Sequence, residues 1–170
     1  GVTTKVESKK LLPTNVVKTF DKTLPTAFDG GTGFTWVSNF SSDPDSATKA
    51  GDYTEVSAEN LTNYALKFEY IIRLKPGTGA SKAPGKLKVA EVKFANDTAN
   101  TGLKGAVAVL VVCGDYSAVY KQTTTIGTFT KSAGDDALSA DVFDSTDGTD
   151  VAVYVFFDGE NANCKTNNIV

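Results

Sequence analysis

The segment NYALKFEYIIRL constrains the fold more than any other part of the chain. Tyr64, Leu66, Phe68, Tyr70, Ile72 and Leu74 fall on one side of an extended backbone; Ala65, Lys67, Glu69, Ile71 and Arg73 fall on the other. A period of two is the pattern of a β-strand. A helix would place Leu61, Tyr64, Ala65 and Phe68 together, but those four positions are outweighed by six that alternate.

The rest of the chain reads in the same way. GVTTKVESKK sets Val2, Thr4 and Val6 on one face. TNVVKTFDKTL, bracketed by Pro13 and Pro25, holds an extended piece, and FTWVSNF is a strand that brings Trp36 into or near the core. KLKVAEVKF changes phase near Ala90, which suggests a bulge. LKGAVAVLVVC is apolar on both faces and so reads as a central strand; GDYSAVYKQTTTIGTFTK adds one or two more, and VAVYVFF is the last strong one. SAGDDALSADVF has room for one helical turn. Eight to ten short strands with polar, Gly-rich connections predict an all-β fold, two packed sheets in a sandwich of jelly-roll type. The expected organisation is an extended N-terminal segment, residues 1–12, and one β-sandwich domain, residues 13–170, since a chain of 170 residues suits a single core.

Composition narrows the function mostly by exclusion. The chain has no histidine, which removes Ser-His-Asp and Cys-His catalysis and zinc sites built on HExxH. No glycine-rich phosphate loop precedes a helix, and no cofactor is expected. The net charge of −3 gives no basic field for nucleic acid or anionic lipid, and no apolar run approaches the roughly 20 residues of a membrane span. An absent methionine and a start at Gly1 fit a chain trimmed of an export signal, although removal of a tag explains that start equally well.

The acidic residues gather in loops: Asp43, Asp45 and Asp52; Asp135 and Asp136; Asp144, Asp147 and Asp150; Asp158 and Glu160. DSTDGTD has the carboxylate density that calcium favours but not the spacing of an EF-hand loop, so Asp144, Asp147 and Asp150 are weak calcium candidates beside the plainer reading of a solvated turn. Cys113 and Cys164 either pair or remain separate thiols. A disulfide would close a loop of about 50 residues and contribute about 4 kcal/mol.

An open sandwich leaves strand edges with unpaired N–H and C=O groups, and a strand lent by a neighbour can fill one. GVTTKVESKK suits lending, because it is terminal, alternating and set apart by Pro13. Val2, Thr4 and Val6 are the candidate donor residues. The alternatives are a strand that pairs within its own domain, or a disordered tail.

The ending VYVFFDGENANC followed by KTNN resembles the closing segment of the TasA/camelysin family of exported fibre-forming proteins, which has relatives among archaeal bundling pili. There a hydrophobic strand runs into an acidic glycine turn, often with a cysteine soon after. The matching positions are Val151, Val153, Tyr154, Val155, Phe156, Phe157, Asp158, Gly159, Glu160 and Cys164; ENLTNYALKFEYIIRL is also compatible with the family. The resemblance implies a secreted jelly-roll subunit of a cell-surface filament, pilus or biofilm-matrix fibre. It implies assembly by N-terminal donor-strand addition, with identical subunits as partners and other matrix components able to join. A metalloprotease label attached to some members does not carry over to a chain without histidine. The acidic turn at Asp158 and Glu160 is expected to close the last strand rather than do chemistry. The alternative reading is a monomeric cell-surface carbohydrate-binding or adhesin module with exposed aromatic residues.

Overall fold

A computed structural model describes residues 10–20, 26–39, 53–73, 85–94, 102–140 and 148–164, and all structural statements below refer to these. They form nine strands in two antiparallel sheets, with two short 3-10 turns and no α-helix. The first sheet has the order β2-β1-β3-β4, made of β1 (Asn15–Thr19), β2 (Thr26–Ala27), β3 (Thr35–Asn39) and β4 (Tyr53–Glu55). The second has the order β5-β9-β6-β7-β8. Its strands are β5 (Ala65–Ile72), β6 (Val107–Cys113), β7 (Tyr116–Gln122), β8 (Phe129–Gly134) and β9 (Thr149–Phe157). The all-β expectation is met, and β6 is central, as its two apolar faces require.

The side chains of the second sheet divide between two cores. Residues directly opposite in neighbouring strands share a face. Leu110 lies opposite Tyr154, and Ala108 opposite Phe156; this face meets Val16 and Trp36 of the first sheet. Trp36 is 7% exposed, with ring centroids 5.4 Å from Tyr154 and 5.2 Å from Phe156. Leu110 and Phe156 are fully buried here, each contributing about 1.5–3 kcal/mol. The opposite face carries Val109, Val111, Cys113 and Val151. It is covered by residues 85–94, through Leu87, Val89 and Val92, and by Leu138.

Three local expectations change. Residues 85–94 keep the phase shift near Ala90, with Leu87, Val89, Val92 and Phe94 partly buried, but they belong to no strand. The segment lies across a sheet face rather than beside an edge, tied by Leu138 N–H to Leu87 O at 2.7 Å and by Leu87 N–H to Ser139 Oγ at 2.8 Å. Residues 135–140 contain no helical turn. The body also begins before residue 13: Leu11 is buried, and Leu12 N–H donates to Asn63 O at 2.8 Å.

Candidate functional site

β5 is the outermost strand of its sheet. Its eight residues pair with β9 in unbroken register from Ala65 opposite Phe156 to Ile72 opposite Thr149. Among the described residues nothing pairs with its other edge. Leu66, Phe68 and Tyr70 lie opposite Val155, Val153 and Val151, so they point away from the first sheet. Ile72 reaches the outer core, but among the described residues Leu66, Phe68 and Tyr70 belong to neither core. Leu66 and Phe68 are half-buried, Tyr70 is 49% exposed, and Ile71 on the opposite face is 62% exposed. The strongest alternation in the sequence therefore marks a strand as expected, yet among the described residues neither core takes in Leu66, Phe68 or Tyr70.

Lys67 and Glu69 occupy the other face of β5. They form an ion pair at 2.6 Å, and Lys67 Nζ lies 5.9 Å from the centroid of the Tyr154 ring. The hydrogen bond to Glu69, then the charge of Tyr154, raises the Lys67 pKa. β5 thus presents an open backbone, an apolar row and one charge of each sign, which are the elements that strand addition uses.

The acidic turn sits at one end of the molecule and joins the two sheets. Asp158 is 5% exposed and accepts an ion pair from Lys121 of β7 at 3.0 Å. Its N–H donates to Ala106 O at 2.8 Å, and it forms a parallel bridge with Thr14. Gly159 N–H donates to Thr14 O at 3.0 Å, and Thr14 N–H to Phe157 O at 2.9 Å. Asn15 Nδ2 donates to Glu160 Oε2 at 2.7 Å, and Tyr53 Oη to Glu160 Oε1 at 3.4 Å. Burial, followed by the Glu160 charge, pushes the Tyr53 phenol up. The turn does more than end β9: it clamps the base of the N-terminal segment. The candidate donor residues Val2, Thr4 and Val6 precede that base and lie outside the described residues.

A second aspartate joins the sheets at the other end. Asp135 Oδ2 accepts from Ser117 N–H at 2.8 Å and from Gly31 N–H at 3.0 Å, while Ser117 Oγ donates to Gly31 O. Gly30 has φ +111°, and a β-carbon there would meet the Asp135 carboxylate. Sequence reading grouped Asp135 and Asp158 with loop carboxylates. Only their distant partners, Gly31 and Lys121, reveal the structural role. The local signal available was the tight Gly30-Gly31 pair.

The disulfide candidate is corrected. Cys113 and Cys164 are both buried, and no disulfide joins them. Cys113 ends β6, whereas Cys164 follows the acidic turn, where Asn163 packs on Gly105 just before β6 begins. Six strand steps put the two ends about 20 Å apart, far beyond the roughly 7 Å limit between bridged Cα atoms. Burial pushes the Cys113 thiol pKa up. Of the calcium candidates, Asp144 and Asp147 lie outside the described residues, and Asp150 pairs with Ile71 across the β5–β9 ladder. Among the described residues no group of three or more His, Cys, Asp or Glu could hold a metal ion, and no helix is long and apolar enough to cross a membrane. Comparison with family models, with curated proteins and with solved structures found no match to this chain.

Proposed function

We propose that this protein is a structural subunit of an extracellular filament, a secreted sandwich of jelly-roll type that polymerises when the N-terminal segment of one subunit adds to a sheet of the next. The observation that carries this reading is the β5 edge: eight residues in regular register that, among the described residues, are unpaired on one side and carry Leu66, Phe68 and Tyr70 outside both cores. An exposed edge of this kind favours pairing with another chain unless something blocks it. Strand addition would supply main-chain hydrogen bonds along β5 and cover alternate side chains. The clamp around Thr14 supports the same reading, because it would hold a donor strand to the body that lends it.

Trp36 is buried between the sheets, so it offers no stacking platform to the binding-module alternative. Negative-stain electron microscopy of the purified chain and of cells that secrete it tests the filament reading. Thin, regular fibres are expected, and a chain lacking residues 1–9 should give particles of one subunit. Uniform small particles from the intact chain at every concentration, or fibres that survive the deletion, would sink it.

A further inference from the structure

The charges on β5 match those of the N-terminal segment in one antiparallel register. We infer that residues 1–9 of a second copy pair with the open edge of β5, antiparallel, with Val6 opposite Phe68. This rests on the filament reading and adds the acceptor strand, direction and register.

Four strands end the two sheets: β2, β4, β5 and β8. Among the described residues β2 has two residues and β4 three. β8 has six, with a register shift in its pairing and Lys131 along it. Among the described residues β5, with eight, comes nearest to the length of residues 1–9.

Facing strands place opposite residues on one face, so the row Val2, Thr4 and Val6 must meet the row Phe68, Tyr70 and Ile72. With Val6 opposite Phe68 in antiparallel pairing, Thr4 meets Tyr70 and Val2 meets Ile72. On the other face Lys5 then meets Glu69, and Glu7 meets Lys67. Both charge pairs are complementary. Shifting by two residues, with Val6 opposite Leu66, sets Lys5 against Lys67. The parallel arrangement with Val6 opposite Tyr70 keeps Lys5 opposite Glu69 but leaves Glu7 facing Ile71. Like charges directly opposite are destabilising, so the register with two matched pairs is selected.

Pairing of the segment with its own β5 is the competing arrangement. Leu12 N–H donates to Asn63 O at 2.8 Å just before β5 begins, but Asn63 N–H is held by Asn60 O, so this contact fixes no ladder register. The mixing experiment distinguishes the two arrangements.

Charge reversal in the full chain tests the proposal at low ionic strength. Glu69 and Lys67 side chains are 74% and 45% exposed, so reversing them leaves the core intact. Lys5→Glu alone and Glu69→Lys alone should each raise the concentration needed for filaments about five- to tenfold, as expected when a facing attraction becomes a repulsion. The double variant should return to within about twofold of wild type. Mixing the two single variants should also restore filaments, because each donor then meets a complementary acceptor on the other chain. Single variants that assemble like wild type would overturn the register. Rescue by the double variant but not by mixing would overturn it in favour of pairing within one chain. If the wild-type chain forms no filaments at all, the filament reading itself fails, and far-ultraviolet circular dichroism of each variant separates these outcomes from misfolding.

Discussion

The second sheet ends on β5 at one side and on β8 at the other, and the two strands meet solvent in different ways. β5 runs eight residues in unbroken register, with Tyr70 and Ile71 exposed. β8 runs six residues, FTKSAG, and its pairing with β7 skips a residue between Val119 opposite Ala133 and Tyr120 opposite Lys131. Lys131 donates from Nζ to Gly134 O at 3.1 Å and pairs with Asp136. A bulge and a lysine are both common ways of keeping a sheet edge from pairing with another chain. β8 has both. β5 has charges only on one face, where Lys67 and Glu69 neutralise each other, and keeps an apolar row on the other. The difference lies partly in the ladder, regular along β5 and bulged along β8, and partly in the side chains, so changing side chains should move the behaviour of one edge towards the other.

The largest effect is expected from placing a carboxylate on each edge in turn. On the filament reading, Tyr70→Asp should reduce sedimentable filaments more than about tenfold, because a charge would enter the face that the proposed donor strand covers. Thr130→Asp on β8 should leave filaments within about twofold. Both positions are exposed, so folding stability should stay within about 0.5 kcal/mol of wild type. Equal losses from the two variants would erase the distinction between the edges.

Truncating a shared core residue should damage both edges together. Phe156→Ala removes a ring that is 1% exposed and packs on Trp36, at a cost of about 3–5 kcal/mol in denaturant unfolding. Assembly would then fall only as far as the folded population falls. A filament defect larger than the unfolded fraction would mean that the two sheets transmit more to β5 than its own side chains do.

The two aspartates that join the sheets come next. Asp158→Ala leaves Lys121, whose side chain is 24% exposed, with only the longer contacts to Glu160 Oε2 at 3.8 Å and Asn15 Oδ1 at 3.5 Å, and should cost about 1–3 kcal/mol. Asp135→Ala leaves the Ser117 and Gly31 N–H groups without their acceptor and should cost about 1–3 kcal/mol. The first also loosens the base of the N-terminal segment, so it should reduce filaments beyond its effect on stability, while the second should not. Urea midpoints measured beside sedimentation separate the two contributions. An Asp158→Ala chain that assembles in proportion to its folded fraction would leave the clamp with a purely structural role.

How legible these features were depends on whether their partners were near in sequence. The strands were readable because period two is local: NYALKFEYIIRL contains β5, and VAVYVFF lies within β9. The phase shift at Ala90 was readable for the same reason. What alternation could not tell was which face would be covered, since that depends on residues 85–94 crossing β9, β6 and β7 while leaving Leu66, Phe68 and Tyr70 outside. The two aspartate junctions were hidden more deeply. Asp135 is 104 positions from Gly31, and nothing near Asp158 announces Lys121. The cysteines misled because both follow strand-like runs, and a sequence does not show that those runs end at opposite ends of the sheet.

The smallest effect expected is at Lys131, and it identifies which device guards β8. The Lys131 hydrogen bond, with the Lys131 charge behind it, holds the Asp136 carboxyl below its ordinary value. This pairing therefore stabilises the fold above the ordinary carboxylate range and is lost as pH falls through the lowered value. The Asp136 side chain is 92% exposed and that of Lys131 34%, so solvent screens the pair, and Lys131→Val should barely move the urea midpoint. Its consequence should appear in self-association. Removing the cation frees β8 for edge pairing, but the bulge still breaks the register that a partner would need. A rise of about twofold or less in the dimer fraction by analytical ultracentrifugation is expected. A much larger rise would assign the protection of β8 to the lysine, leaving its absence from the apolar row of β5 as the main difference between the two edges.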